Sequence, residues 1–548
     1  MKNLILIIVV LNILFINNSC STGENENRFL RTQGQDIVDG YGNNILLQGI
    51  GLGNWLLPEG YMWKFGPEGD RPRKIEKIVK DLIGPAKANE FWKNFRIYYI
   101  TEKDIKRIAE LGFNAVRPAL NARLFLTEGD TAIFVEESFA LIDNLVSWCK
   151  KHNLYVILDM HGAPGGQTGA NIDDSPNDQP ELFMDTRNQD RLVDLWVKIA
   201  KRYKNEPTVA AYDLLNEPLP KRTGAAEKYG HLVEPLYKRL TAAIREVDKN
   251  HMITLEGVDW SNDWSIFNKP FDDNLFYQFH YYCWNRPDNL NDISQYFEYR
   301  NKLNVPVWVG ETGEKGNTIY WATTQYFEAN NIGWSFWPWK KMDTKNTPYS
   351  INRPTNWDQI AAYSRGGKKP SKEIAQQAFD EFIENIKLEN CLYFEDVCNS
   401  IFRRAPVKIE AENYGHEGFN ISYFVADTNQ RSKYYRTGEP VLIDLIKFED
   451  NQFLSEQGII LKSDDWVKYE FNNSHLQNAA IKIKVSKESE NAEFKFTLNG
   501  DDNIFKVTKD DWQEISIPKV NLKQGLNQIV LIVTEGTAGF DWINIANN

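Results

Sequence analysis

Eight short apolar runs, each closing on polar or aromatic residues and spaced by longer stretches of helical texture, constrain this chain more than any other feature. They are ILLQGIGL, leading to Asn54 and Trp55; FNAVRP, with Arg117; YVILDMHG, with His161; AAYDLLNEP, with Asn216 and Glu217; MITLEG, with Glu256; LFYQFHYY, with His280 and Tyr282; VWVGETG, with Glu311; and GWSFWPWK, with Trp337. Continuous apolar runs of this length are the signature of strands buried on both faces, and parallel sheets are built from such strands. Between them, Ile105, Ile108, Ala109 and Leu111 follow the capping-box spacing Thr101 to Asp104, and Leu192, Leu195, Trp196, Ile199 and Tyr203 recur at helical period. A further helix carries Leu141, Leu145, Trp148 and Cys149. The alternation predicts an α/β fold, a (β/α)₈ TIM barrel over residues 31–400, entered through a hairpin from Arg31 that turns at Asp39-Gly40. A doubly wound open sheet is the competing architecture, but it rarely needs eight strands and the chain has no glycine-rich phosphate turn after the first.

Parallel strands of a barrel deliver their C-terminal ends to one rim. That rim would gather Arg117, His161, Asn216, Glu217, His280, Tyr282, Glu311 and Trp337. Two carboxylates at strand exits suit hydrolysis of a glycosidic bond, which needs one carboxyl held protonated for the departing oxygen and another held ionised to meet the positive charge on the sugar. Arg117 would keep its neighbouring carboxylate charged, and His280 would couple to the proton of the other. Taken alone, Asn-Glu-Pro reads equally as a strand stop before a helix opened by Pro218. Glu314 lies beyond the strand and is the weaker nucleophile candidate. Trp334 and Trp339 compete with Trp337, and alternation puts Trp337 and Trp339 on one face. Glu256 would help build the cleft wall, and Trp55 would line a distal subsite. Asp159, His161, His280 and Glu311 are metal-compatible types, but no two histidines have helical chelating spacing, and a carboxylate pair does this chemistry without a metal.

RPAL, LDMHG, LLNEP, FHYY, VGET and WSFWPWK, in this order and each at a strand end between about Asn44 and Lys340, resemble glycoside hydrolase family 5, whose members are retaining barrel enzymes. The resemblance implies Glu217 as general acid/base, Glu311 as nucleophile, and no cofactor for catalysis. It implies that Asn216 binds the sugar 2-hydroxyl, Arg117 and Tyr282 steady Glu311, His161 and His280 hold sugar or tune Glu217, and Trp337 is a stacking platform. NWLLPEGYMWKF and FRIYYITEKDIKRIAELGFNAVRP resemble the glucanase branch of that family, including exo-acting β-1,3 members. The implied activity is hydrolysis of β-linked polysaccharide, with β-glucan as first substrate and β-mannan or xyloglucan as alternatives. A surface glycan-binding lipoprotein whose barrel has lost its chemistry is the non-enzymatic alternative.

After a linker at 401–406 the texture changes to short alternating segments separated by Gly, Asn and Asp, which predicts a jelly-roll-like antiparallel β-sandwich over residues 407–548. KIEAENY, DTNQRSKYYRTGEPVLID, SDDWVKYEF and GFDWINI resemble carbohydrate-binding module family 6. Glu410 and Glu412, two apart on a strand, would share a face and could join Asp541 in holding a structural calcium. Tyr434, Tyr435, Trp512 and Trp542 are candidates for sugar stacking, and Trp466 is assigned to the core.

Met1 to Cys20 has the charged start, short apolar centre and polar end of a targeting segment, and its apolar run is short for a membrane span. Cys20 at its end resembles a bacterial lipoprotein signal. The expectation is a secreted, cell-surface lipoprotein that touches membrane only through a lipid on Cys20, with residues 21–30 as a flexible tether. A plain signal peptide with an incidental cysteine is the alternative. Cys391 and Cys398 are near enough in sequence to pair in an exported protein. The net charge of −12 argues against a nucleic-acid partner, because phosphate binding needs a basic face. The 17 Trp, 24 Tyr and 30 Phe suit the C–H faces of sugar rings as well as they suit a core. The expected partner is therefore a polysaccharide, met by a monomer.

Overall fold

The computed structural model describes residues 29–129, 131–283, 293–432, 435–447, 456–476 and 478–548. The leader, Cys20, nearly all of the tether and Tyr434 lie outside the described residues. Eight parallel strands close a barrel: β1 (Gln48–Leu52), β2 (Ala115–Asn121), β3 (Tyr155–Gly162), β4 (Val209–Asp213), β5 (Met252–Glu256), β6 (Leu275–Tyr281), β7 (Val307–Gly313) and β8 (Gly333–Trp337). The ring shuts where Trp334 pairs with Gln48 and Phe336 with Ile50. Every residue of β2, β6 and β7 is buried, as strands covered on both faces must be.

The helix Glu102–Leu111 opens on the expected capping box, with the Thr101 N–H donating to Asp104 Oδ2 at 2.9 Å. Asp104 is itself buried and also accepts from Trp339 Nε1 and Lys340 Nζ, so the cap ties the helix to the chain leaving β8. The helix Thr186–Tyr203 buries Leu192, Leu195, Trp196, Ile199 and Tyr203 as its period requires. On Glu136–Lys151 the inward stripe is Phe139, Ile142, Leu145, Val146 and Cys149, which leaves Leu141 and Trp148 half-buried at its edges. Two local expectations change. The N-terminal hairpin turns at Gly34, where φ is +61°, and Asp39 instead caps a second turn by accepting the Tyr41 and Asn43 N–H groups. The strand–helix alternation lapses between β5 and β6, where the segment 257–274 carries no helix.

Among the described residues the C-terminal domain forms an antiparallel sheet of nine strands curled over itself. AAIKIKV and EFKFTLNG, legible as separate strands, are two halves of Asn478–Leu498; NQIVLIV and DWINI are halves of Gly525–Asn547. Register shifts at Lys484/Val485, Lys487/Ala492 and Glu493/Phe494 bend these long strands from one layer of the domain into the other. Segment 401–406 is clamped to the barrel. Arg404 Nη1 donates to the Leu111 carbonyl at 2.6 Å, Arg403 pairs with Glu328 and bonds Thr324, and Thr324 Oγ1 donates to the Ile401 carbonyl. Cys391 and Cys398 are free thiols. Cys391 Sγ turns back to the Asn385 and Lys387 carbonyls, whereas Cys398 is buried on the helix Glu395–Ile401, so the two that lie near enough in sequence to pair are not joined. Among the described residues no helix is long and apolar enough to cross a membrane.

Candidate active site

The barrel brings all eight predicted rim residues to one end. Arg117, wholly buried on β2, donates from Nε to Asp213 Oδ2 (2.9 Å), from Nη1 to Glu311 Oε1 (2.6 Å), and from Nη2 to Asn216 Oδ1 (2.9 Å) and Glu256 Oε1 (3.1 Å). Tyr282 donates to the second oxygen of Glu311 at 2.7 Å. Burial opposes ionisation of Glu311, but the charges of His280 and Arg117 outweigh it and hold the carboxyl below the usual glutamate range. Glu217 lies just beyond β4, with His280 Nδ1 2.7 Å from its Oε1. Burial pushes Glu217 up against the opposing pull of His280, so the two glutamates are driven apart in acidity by their surroundings. His280 has burial against its charge, yet Glu256, Glu311 and Glu217 together hold it well above the ordinary histidine range. The facing carboxylate oxygens of Glu217 and Glu311, with an imidazole nitrogen of His280, converge within 4.8 Å of one another.

No helix opens at Pro218. Glu217 and Leu219 have φ of +43° and +52°, a left-handed backbone that costs a non-glycine residue on the order of 1–3 kcal/mol. Asn216 is anchored by its N–H to the Met160 carbonyl and by Gln167, which donates to its carbonyl. His161 Nδ1 sits 2.7 Å from Asp159 Oδ2, and burial lowers its pKa to about 4, so its ring is neutral near neutral pH. The Trp337 indole lies parallel to that ring, 4° between planes and 5.3 Å between centroids, and donates from Nε1 to the Tyr61 hydroxyl. Trp334 and Trp339 are buried away from the cleft, donating to Glu328 and Asp104. Trp55 is likewise a core residue, its Nε1 donating to the Arg96 carbonyl.

A cavity of about 640 Å³ opens over these groups. On the side of β8 and β1 it meets Trp337, Tyr61, Glu314 and Glu59. Burial, then the charges of Glu311, Glu314 and Glu217, push Glu59 well above the usual carboxylate range. Glu314 is held by Lys341 at 2.6 Å and by the Tyr61 hydroxyl. On the side of β4 and β5 the cavity meets Trp260, with the Arg222 guanidinium 5.3 Å from its ring. Trp260 sits in a run of three left-handed residues, Asp259, Trp260 and Ser261, at φ of +56°, +59° and +72°. That run is held by the Asp259 N–H on the Leu219 carbonyl, by Asp259 Oδ1 accepting the Lys221 N–H, and by Ser261 Oγ on the Gln278 carbonyl.

Residues 80–343 match the family described as Cellulase (glycosyl hydrolase family 5). That stretch holds seven of the eight barrel strands and the rim residues described above. The chain is similar to a beta-xylosidase of Phanerodontia chrysosporium, 31% identical over 240 residues, or 44% of this chain and 48% of that protein. Endoglucanase C of Acetivibrio thermocellus is 34% identical over 186 residues, 34% of this chain and 50% of its own. A probable glucan 1,3-beta-glucosidase A of Aspergillus clavatus is 29% identical over 191 residues, 34% of this chain and 45% of its own. The chain thus spans about half the length of the curated relatives it matches.

Sequence reasoning missed Glu59, Tyr61, Arg222 and Trp260, of which Tyr61 and Arg222 lie on single turns of 3₁₀ helix (Gly60–Trp63 and Lys221–Thr223) and the other two in loops, too short for any periodicity to mark them. It also misplaced Glu256, which is wholly buried beneath the cleft and forms no part of its wall. A carboxylate closing an apolar strand was the available signal, as it also was for Asp213. In the C-terminal domain the strand ends at Glu410, where the Asn413 N–H donates to its carbonyl, so alternation stops and Glu412 turns inward, 2% exposed, off the face of Glu410. Glu410 pairs with Lys408 at 2.8 Å and Asp541 with Lys484 at 2.7 Å. Glu410 and Asp541 thus carry lysine partners, and Glu412 lies off the strand face of Glu410, so the shared face expected for a calcium site on these residues is not formed. Tyr435 is buried, Trp466 is half-buried where a core position was expected, and Trp512 and Trp542 are half-buried beside Lys484 and Lys408.

Proposed function

We propose that the protein hydrolyses β-linked polysaccharide, β-glucan first, by a two-step retaining mechanism. The observation that carries this reading is the approach of the Glu217 and Glu311 carboxylate oxygens to within 4.8 Å. Retaining glycosidases hold their two carboxyl groups roughly 5–5.5 Å apart, whereas inverting enzymes need roughly 6.5–9.5 Å to fit a water. Glu311, kept ionised, attacks the anomeric carbon while Glu217 gives its proton to the departing glycosidic oxygen. A covalent glycosyl ester on Glu311 results. Glu217, now a carboxylate, takes a proton from the water that attacks the same carbon, and sugar and Glu311 are released. Asn216 would meet the 2-hydroxyl, and Trp337 the sugar bound where cleavage occurs. β-Glucan is supported by relatives that carry endoglucanase and glucan 1,3-beta-glucosidase names. The C-terminal domain would hold polymer near the cleft, with Trp512 and Trp542 as its half-exposed rings, in the manner of carbohydrate-binding module family 6. The leader and Cys20 support export and lipid anchoring at the cell surface.

The deciding experiment incubates the full chain with β-1,3-glucan, mixed-linkage glucan, a soluble cellulose derivative, mannan, xyloglucan and xylan, and follows the new anomeric proton by NMR. Release of the β-anomer from a β-glucan is expected. Release of the α-anomer would refute the retaining mechanism, and no release from any polymer would refute the function.

A further inference from the structure

Glu256 is a third glutamate at the heart of the site, and the reaction outlined above gives it no task. It is wholly buried at the end of β5 and faces no substrate. Its two oxygens are nonetheless fully committed. Oε2 accepts the main-chain N–H of Glu217 at 2.7 Å. Oε1 lies 3.1 Å from Arg117 Nη2 and 3.3 Å from His280 Nε2. Its position is fixed in turn by the main chain, since Tyr237 donates its hydroxyl to the Glu256 carbonyl at 2.9 Å.

We propose that Glu256 is the positioning residue for the proposed acid/base Glu217, clamping the Glu217 backbone with one oxygen and orienting the His280 imidazole against the Glu217 carboxyl with the other. The first half of the clamp answers a question posed by the backbone. Glu217 precedes a proline and holds φ at +43°, a combination that sterics disfavour, so something must over-determine it. A charged acceptor 2.7 Å from its N–H does so, and charge-assisted bonds are roughly twice as strong as neutral ones. The second half concerns His280. Its Nδ1 faces Glu217 Oε1 at 2.7 Å and Glu311 Oε2 at 3.6 Å, while Nε2 faces only Glu256 among carboxylates. The charge of the Glu256 carboxylate, 3.3 Å from Nε2 though without hydrogen-bond geometry, favours a proton on that nitrogen. The exchangeable proton is then confined to Nδ1, where it is shared with Glu217, and proton transfer between the two leaves the rest of the ring unchanged. The groups facing this pair are Glu256 from β5, Glu311 from β7, and behind them Arg117 from β2, Asp159 from β3 and Asp213 from β4. Among these, Glu256 alone touches both the backbone of Glu217 and the ring that faces its side chain.

Glutamine cannot replace it. An amide offers one oxygen, so either the Glu217 N–H or the Arg117 and His280 donors would meet an NH₂. The inference rests on the proposed roles of Glu217 and Glu311, but its main readout does not require activity. Glu256→Gln, Glu256→Asp and wild-type full-length protein are titrated with ¹⁵N-labelled imidazoles, His280 being assigned by its loss in His280→Asn, and kcat, KM and the pH profile are measured on the preferred β-glucan. In Glu256→Gln, His280 should lose its charge at a pH lower by on the order of one unit, because a nearby negative charge is gone. The alkaline limb of kcat/KM should move the same way, and kcat should fall about 100-fold, the scale of a small displacement of a catalytic group, with KM changed less than about threefold. Glu256→Asp keeps the charge but not the reach. It should leave the His280 titration near wild type while kcat falls about 10-fold. A folded Glu256→Gln that titrates His280 at the wild-type pH overturns the proposal, as does Glu256→Asp with wild-type kcat. If Glu256→Gln does not fold, Glu256→Asp decides: unchanged His280 with lowered kcat supports the clamp, and any other combination overturns it. If the wild type cleaves no glycan, the functional reading fails and the His280 titration alone still judges Glu256.

Discussion

Tyr282 donates its hydroxyl to Glu311 Oε2 at 2.7 Å, on the oxygen opposite the one that Arg117 holds at 2.6 Å. The nucleophile candidate is therefore bonded on both oxygens by groups that favour its charged form. Activity requires Glu311 ionised, so it is present above the lowered pKa and lost as pH falls through it, which sets the acid limb of kcat/KM below the usual glutamate range. Tyr282→Phe removes one stabilising bond and should raise that limb by about half a unit to one unit, with kcat/KM at its plateau down about 10-fold. A pH–rate profile with the limb unmoved would assign the charge of Glu311 to Arg117 and His280 alone.

Glu311→Gln should abolish hydrolysis, and Glu217→Ala should fail differently. Without an acid, a poor leaving group stays bound, whereas an activated aryl β-glycoside can still form the glycosyl ester. Added azide should then rescue turnover of the aryl glycoside by Glu217→Ala and yield a β-glycosyl azide. An α-azide, or rescue of Glu311→Gln to the same product, would exchange or void the two assignments.

Gly53 lies against the Trp337 ring, and a Cβ there would stand 2.6 Å from its Cη2 and Cζ2. Trp337 cannot readily yield, being parallel to His161 and bonded to Tyr61. Gly53→Ala should cost about 1–3 kcal/mol by overpacking and depress kcat/KM as the indole is displaced. Urea unfolding together with steady-state kinetics tests this, and full stability with full activity would mean the ring has room not evident in its packing.

Trp260 faces the cleft from the side of Glu217. A retaining attack places nucleophile and leaving group on opposite sides of the anomeric carbon, so this is the leaving-group side. Trp260→Ala should lower kcat/KM for oligosaccharides whose leaving group is a sugar by about 10-fold, the worth of one stacked ring. The same ratio measured with an aryl leaving group should fall less, and equal losses on both would point to a disturbed loop in place of a lost contact.

The junction between barrel and C-terminal sheet predicts a single calorimetric unfolding transition. Arg403 and Arg404 bond the barrel through their side chains, the backbone at Arg403 and Ala405 pairs with Asn472 of the sheet, and the Thr318 hydroxyl reaches Glu410 directly. Arg404→Ala, which strips the Leu111 carbonyl of its partner, should lower the melting temperature or split the transition in two. Two transitions already in the wild type would show that the bonds are too weak to couple the domains.

The amino-acid sequence by itself determined the barrel, because strands buried on both faces must be written as apolar runs, and it determined the identities of the rim residues, because a parallel barrel gives every strand end the same address. Glu217 and Glu311 were legible for that reason alone. The tertiary structure decided what periodicity does not encode. Glu256 looked like another rim acid, yet its strand ends one layer deeper, where only the packed barrel shows it beneath Glu217. Trp260 and Glu59 sit on loops whose left-handed or irregular backbone is set by distant partners such as Leu219 and Gln278. Glu410 and Glu412 would share a face only if the strand continued, and it stops where the Asn413 N–H turns back to the Glu410 carbonyl and the Ala411 N–H reaches the distant Asp541 carbonyl. Local pattern specifies which face is buried; which buried groups meet, and at what charge, depends on contacts that exist only once the chain has closed.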